Sequence, residues 1–173
     1  DRGRSVGKAD GLITNAPGVP LVQRYADCTP ILFYDPVQHA AGIAHAGWQG
    51  VVTRVAEVAV RAMQEAFGSN PAELVTAVGP AIGPCCYEVG PEVVAAISTS
   101  QRDPDHLFSP SPNPGHAHLD LWEANARQLR DAGVHQIEVA GLCTACHNDI
   151  FFSHRGDKGR SGRFAAFVML EER

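Results

Sequence analysis

Residues 26–50 read ADCTPILFYDPVQHAAGIAHAGWQG, and the fold turns on this stretch. Two apolar runs, 31–34 and 40–44, flank the turn-forming DPVQ at 35–38, so the spacing predicts an antiparallel hairpin. A turn about Pro36 and Val37 sets Cys28 opposite His45. Directly opposed residues lie ~4.5–5.5 Å apart at Cα and point to one face. A thiolate and an imidazole at that spacing can share a metal, and this pair suits zinc or copper better than magnesium or calcium. A register slip would turn one of them away. Three readings fit the pair: a buried thiol beside a hydrogen-bonded core histidine, two ligands of a metal, or a cysteine nucleophile activated by imidazole. A catalytic zinc uses three protein ligands, and a third is not evident beside these two.

Outward from the hairpin, residues 11–25 hold two short apolar runs split by NAPG at 15–18. Over 51–67 the residues Val51, Val55, Val58, Ala59, Ala62 and Ala66 recur at helical spacing, and Gly68 supplies a stop. A strand at 74–78 enters the turn-rich GPAIGPCCYEVG at 79–90. Pro91 opens a helix over 91–97, and a further helix covers 119–132, closed by Gly133. Strands are expected at 137–140, 150–153 and 164–170. Residues 100–116, with four prolines, read as the longest and least ordered loop, and residues 1–10 as an irregular lead-in. Hairpins at the front and interleaved helices predict an α+β or mixed α/β chain, a layered sandwich with mixed sheets flanked by helices, forming one domain over 1–173.

The formal net charge of -5, with lysine only at Lys8 and Lys158, argues against a nucleic-acid surface. No apolar run reaches the ~20 residues of a membrane helix, and no secretory leader is evident. Five cysteines, an odd number with Cys85 and Cys86 adjacent, fit reduced thiols and a cytoplasmic setting.

Five motifs occur in order: ADCTP at 26–30, HAGW at 45–48, GPAIGPCCYEVG at 79–90, LDLWEANARQL at 119–129, and FFSHR with SGR between 151 and 163. In these the chain resembles the multicopper polyphenol oxidase, or laccase-domain, family, whose members are regarded as purine nucleoside phosphorylases. The resemblance runs from about Ala9 to Leu170. It implies phosphorolysis of adenosine, inosine and methylthioadenosine, adenosine deamination, and in some bacterial members a part in peptidoglycan-precursor editing. It also implies a metal held by Cys28, His45 and a histidine of an upstream Q-x-H-G motif. That motif has no counterpart here, so the chain reads as N-terminally short. Gln49 and Gly156 stand where the family carries arginine.

The expectation is thus a zinc-dependent purine nucleoside phosphorylase with adenosine deaminase activity, Cys28 and His45 being metal ligands and catalytic residues. Zinc is the expected cofactor, with copper possible; purine nucleoside and phosphate are the expected partners. The alternatives are a copper-dependent phenol oxidase, for which eight scattered histidines are a poor match, and an inactive fragment or binding module. Among Arg155, Lys158, Arg160 and Arg163, Arg155 and Arg163 are candidates for phosphate, which arginine forks bind bidentately. Asp27 is a candidate support for the metal site. CTACH at 143–147 matches a haem attachment pattern, and Cys143, Cys146 and His147 would make a zinc knuckle; core or surface cysteines are the plainer reading. Gly79, Gly83 and Gly90 leave room for a ligand, and Cys85 and Cys86 either line a pocket or pack.

Overall fold

The computed structural model describes residues 9–172, so most of the lead-in lies outside it. Among the described residues there are ten strands: β1 (Gly11–Thr14), β2 (Leu21–Tyr25), β3 (Thr29–Asp35), β4 (Ala40–Ala46), β5 (Val75–Val78), β6 (Glu88–Val89), β7 (Phe108–Pro110), β8 (Ala117–Leu119), β9 (Gln136–Val139) and β10 (Phe164–Val168). The same residues form four helices, α1 (Trp48–Val52), α2 (Val55–Phe67), α3 (Pro91–Ser100) and α4 (Leu121–Asp131). The fold is mixed α/β. A five-stranded sheet runs β1-β4-β3-β5-β9, antiparallel except for the parallel β5–β9 pair. The ribbon β10-β2 and the small sheet β6-β8-β7 complete it.

The central hairpin explains the layering. Ile31, Phe33, Ala44 and Ala46 share one face of β3–β4 and are fully buried. They pack on Val55, Ala56, Ala59, Val60 and Met63 of α2 and on Ala126 and Leu129 of α4. The other face is covered by the β2–β10 ribbon: Tyr25 stacks on His45 at 4.7 Å and donates its hydroxyl to the Ala44 carbonyl at 3.2 Å. A second apolar cluster joins Val51 of α1, Val93 and Ile97 of α3, Leu119 and Leu121.

Three elements differ from the sequence reading. The helix expected over 51–67 is broken: α1 ends at Val52, and Arg54 takes a left-handed φ of 57° before α2 starts. Val51 is the reason the break holds. Its carbonyl accepts from Gln128 Nε2 at 2.7 Å and Gln101 Nε2 at 2.9 Å, which satisfies a buried helix-end acceptor. Residues 150–153 are turn, not strand; Ile150 and Phe151 N–H groups donate back to the His147 carbonyl instead of to a neighbouring strand. The stretch 100–116 is more ordered than expected, with a 3₁₀ turn at Pro104–Leu107 and strand β7.

Candidate active site and metal centre

Asp35 sets the hairpin register. Its Oδ1 accepts from the N–H groups of Val37 (2.8 Å) and Gln38 (2.9 Å), so the loop runs from Pro36 to His39 and Asp35 pairs with Ala40. The register is therefore two residues from that of a turn about Pro36 and Val37. His45 opposes Pro30, and Cys28 lies beside Gly47, where an added Cβ would come within 2.7 Å of its Sγ. The direct opposition of Cys28 and His45 is a correction to the sequence reading. A two-residue shift preserves the face, because side chains alternate with a period of two. Cys28 and His45 are diagonal neighbours lining one open cleft of about 570 Å³.

Asp10, Gly47, Trp48 and Gln49 line the same cleft. Pairing of β1 with β4 brings Asp10 there, and its carbonyl accepts the His45 N–H at 2.7 Å. Desolvation lowers the His45 pKa, with the Asp10 carboxylate opposing that shift; the ring is therefore biased toward the neutral form, which ligates metals. Burial pushes the Cys28 thiol up to about 11, and the neighbouring Asp27 carboxylate adds to this. The Arg163 guanidinium acts on both groups, lowering each. A thiol held protonated by desolvation and adjacent negative charge is one that a cation would ionise, so the donor chemistry fits a soft metal. Among the described residues no third His, Cys, Asp or Glu donor completes a set with these two.

Asp27, with a left-handed φ of 82°, ties the cleft to two distant loops. Its carboxylate accepts from Thr144 Oγ1 at 2.7 Å and from the Arg155 backbone N–H at 2.6 Å, while its carbonyl accepts from Ile82 N. Arg155 donates Nη1 to the Glu88 carbonyl at 2.8 Å and lies over the Tyr87 ring at 5.4 Å. Burial lifts the Tyr87 hydroxyl to about 12, with negative charge at Cys28 adding to the shift. Arg163 Nη1 is held by the Ser161 and Gly162 carbonyls. Tyr25 and Tyr87 escaped sequence reading; Tyr25 sits just before ADC, and only its alternation with the buried Leu21 hinted at an inward side chain.

A second sulfur cluster forms elsewhere. Cys85, Cys86, Cys143 and Cys146 place their Sγ atoms all within 4.8 Å of one another, an arrangement able to bind a metal ion. Cys146 is 3.5 Å from both Cys85 and Cys86, and the Gly83 N–H donates to Cys143 Sγ at 3.2 Å. Partial burial opposes ionisation of Cys143, but N–H groups of Gly83 and Cys146 and the adjacent thiols hold it down at about 7. His147 is not in the group, which corrects the Cys143–Cys146–His147 knuckle. Gly83 is needed for packing rather than for a ligand: an added Cβ would meet Trp122 at 2.5 Å.

The chain belongs to the family described as multi-copper polyphenol oxidoreductase laccase, whose profile matches residues 1–171. It is 39% identical over 165 residues to purine nucleoside phosphorylase YlmD of Bacillus subtilis, covering 94% of this chain and 59% of that protein. It is 37% identical over 169 residues to purine nucleoside phosphorylase LACC1 of Homo sapiens, covering 94% of this chain and 38% of that one. The crystal structure of YlmD from Geobacillus stearothermophilus matches with a TM-score of 0.90 at 41% identity, over 95% of this chain and 62% of that one. The chain thus spans less than two thirds of the length of these relatives. No helix among the described residues is long and apolar enough to cross a membrane.

Proposed function

We propose that this chain carries the metal and substrate cleft of a purine nucleoside phosphorylase, acting on adenosine, inosine and methylthioadenosine with inorganic phosphate, and deaminating adenosine as a second activity. The observation that carries the reading is the convergence of Cys28 and His45 on one open cleft, in a chain whose relatives bear that name. Cys28 and His45 would hold zinc, with the third donor coming from outside the described residues. Such an ion supplies Lewis-acid chemistry and lowers the pKa of a bound water.

The chain's own residues then divide the work. Tyr25 stacks on the His45 ring and fixes its plane, while the β1–β4 pairing fixes its backbone. Trp48, half-buried in the cleft wall, offers an aromatic surface to a purine. Arg163 places positive charge near both Cys28 and His45, and Arg155 is anchored beside Tyr87 with guanidinium donors to spare; these two are the candidates for phosphate.

The test is release of hypoxanthine from inosine, with and without phosphate, by the zinc-loaded protein. The reading expects release that depends on phosphate and falls to background in Cys28→Ala and His45→Ala. Release independent of phosphate, or phenol oxidation by the copper-loaded protein with no release at all, would overturn it. Ammonia production from adenosine, lost in the same variants, tests the second activity.

A further inference from the structure

We infer that Cys85, Cys86, Cys143 and Cys146 form a structural zinc site, separate from the Cys28–His45 cleft, which staples the two loops that hold Asp27, the neighbour of Cys28. Geometry comes first. Tetrahedral zinc with Zn–S bonds of about 2.3 Å sets its sulfurs roughly 3.8 Å apart. The observed pairs at 3.5 Å, with all four sulfurs inside 4.8 Å, enclose a volume fit for one ion. The same separations are far from the ~2.05 Å of a disulfide, and all four cysteines are free. Four thiolates and no open position are the donor set of a closed, structural site.

The surroundings match. The Gly83 N–H directed at Cys143 Sγ is the kind of outer hydrogen bond that supports a metal thiolate. Two tight turns present the ligands: Cys86 and Tyr87 N–H groups return to the Gly83 carbonyl, and the His147 N–H returns to that of Cys143. Between the turns the backbones touch through the parallel Ala81–Cys143 bridge and the Thr144 N–H to Ala81 carbonyl bond of 3.1 Å.

Need supplies the third argument. Residues 140–163 contain no helix or strand, a length at which connections rarely hold one shape without help. Yet this segment carries Thr144 and Arg155, both bonded to Asp27 beside Cys28, and the partner loop carries Tyr87. A zinc between the turns would join chain positions about 60 residues apart by sequence, where closing a long loop contributes most. Binding zinc requires loss of the thiol protons, which pass to solvent.

The experiment is cobalt substitution of the full chain, purified under reducing conditions, with zinc counted by elemental analysis. Wild type, Cys28→Ala and Cys146→Ser are compared. Cys146 is exposed, so removing it as a ligand leaves the core intact. The expected result is that Cys28→Ala keeps about one tightly held zinc and the intense charge-transfer absorption of tetrathiolate cobalt. Cys146→Ser should lose that absorption and retain at most the zinc of the Cys28–His45 cleft. Retention of that absorption in Cys146→Ser, its absence from Cys28→Ala, or iron in place of zinc would overturn the inference. The proposed phosphorolysis can fail while this site stands, because Cys28→Ala removes one and spares the other.

Discussion

The Cys28–His45 cleft and the four-thiol cluster are both sulfur sites, but their donors come together in opposite ways. Cys28 and His45 sit at the open end of one hairpin, where strand pairing delivers them to a common face. The four cysteines sit in two loops that meet only when the whole chain has folded. The hairpin site has two donors, an open cleft and nearby arginines, which suits chemistry on a ligand. The loop site has four like donors drawn into a knot, which suits holding structure together. Position in the fold, more than residue type, separates the two.

That contrast is sharpest in the loss of a ligand. Cys143→Ser is expected to cost the most, roughly 4 kcal/mol or more, since it removes zinc and leaves a buried hydroxyl. At ~2–4 °C per kcal/mol this lowers Tm by about 10 °C in calorimetry, whereas Cys28→Ala should leave Tm nearly unchanged. Equal shifts would break the comparison.

The two glycines beside the sites come next. Gly83→Ala drives a Cβ into Trp122 at 2.5 Å and should cost about 3 kcal/mol in chemical denaturation. Gly47→Ala presses on Cys28 Sγ at 2.7 Å and should instead show as weaker zinc affinity of the cleft, by roughly tenfold, with little change in stability.

Asp27 links the regions, so Asp27→Asn tests the link. The amide oxygen can accept only one of the two bonds, from Thr144 Oγ1 or the Arg155 N–H, and without charge, so the other donor is left unpaired at a cost of about 2 kcal/mol. Removing the carboxylate should also bring the Cys28 thiol below its value of about 11, readable as faster alkylation near neutral pH.

Smallest is an alkaline effect. The Tyr87 pKa is raised in the fold, chiefly by burial, from 10 to about 12. The folded chain therefore holds a proton that the unfolded chain has lost, and the contribution is complete below pH 10 and fades as pH climbs through 12. Tyr87→Phe should flatten that part of the Tm–pH curve and change nothing at pH 7.

Much of the fold was legible because its signals are local. Apolar runs about DPVQ marked β3 and β4, Gly133 marked the end of α4, and Pro91 marked α3; in the fold Asp120 caps α4, accepting from the Glu123 N–H at 3.0 Å. The break between α1 and α2 was hidden because Gln101 and Gln128, which satisfy Val51, lie 50 and 77 residues away. The meeting of Cys28 and His45 on one cleft was legible through HAGW and ADC, although Asp35 moved the register by two. The four-thiol cluster was only half visible: C-x-x-C announced Cys143 and Cys146, but nothing local says that Cys85 and Cys86 complete them.

The central claim is that Cys28 and His45 ligate a metal in the cleft while the four thiols hold another. Anomalous diffraction at the zinc edge, from crystals of the zinc-loaded protein, tests this most directly. The account predicts two peaks, one bridging Cys28 Sγ and a ring nitrogen of His45, the other enclosed by Cys85, Cys86, Cys143 and Cys146. A map with no peak between Cys28 and His45 would contradict it.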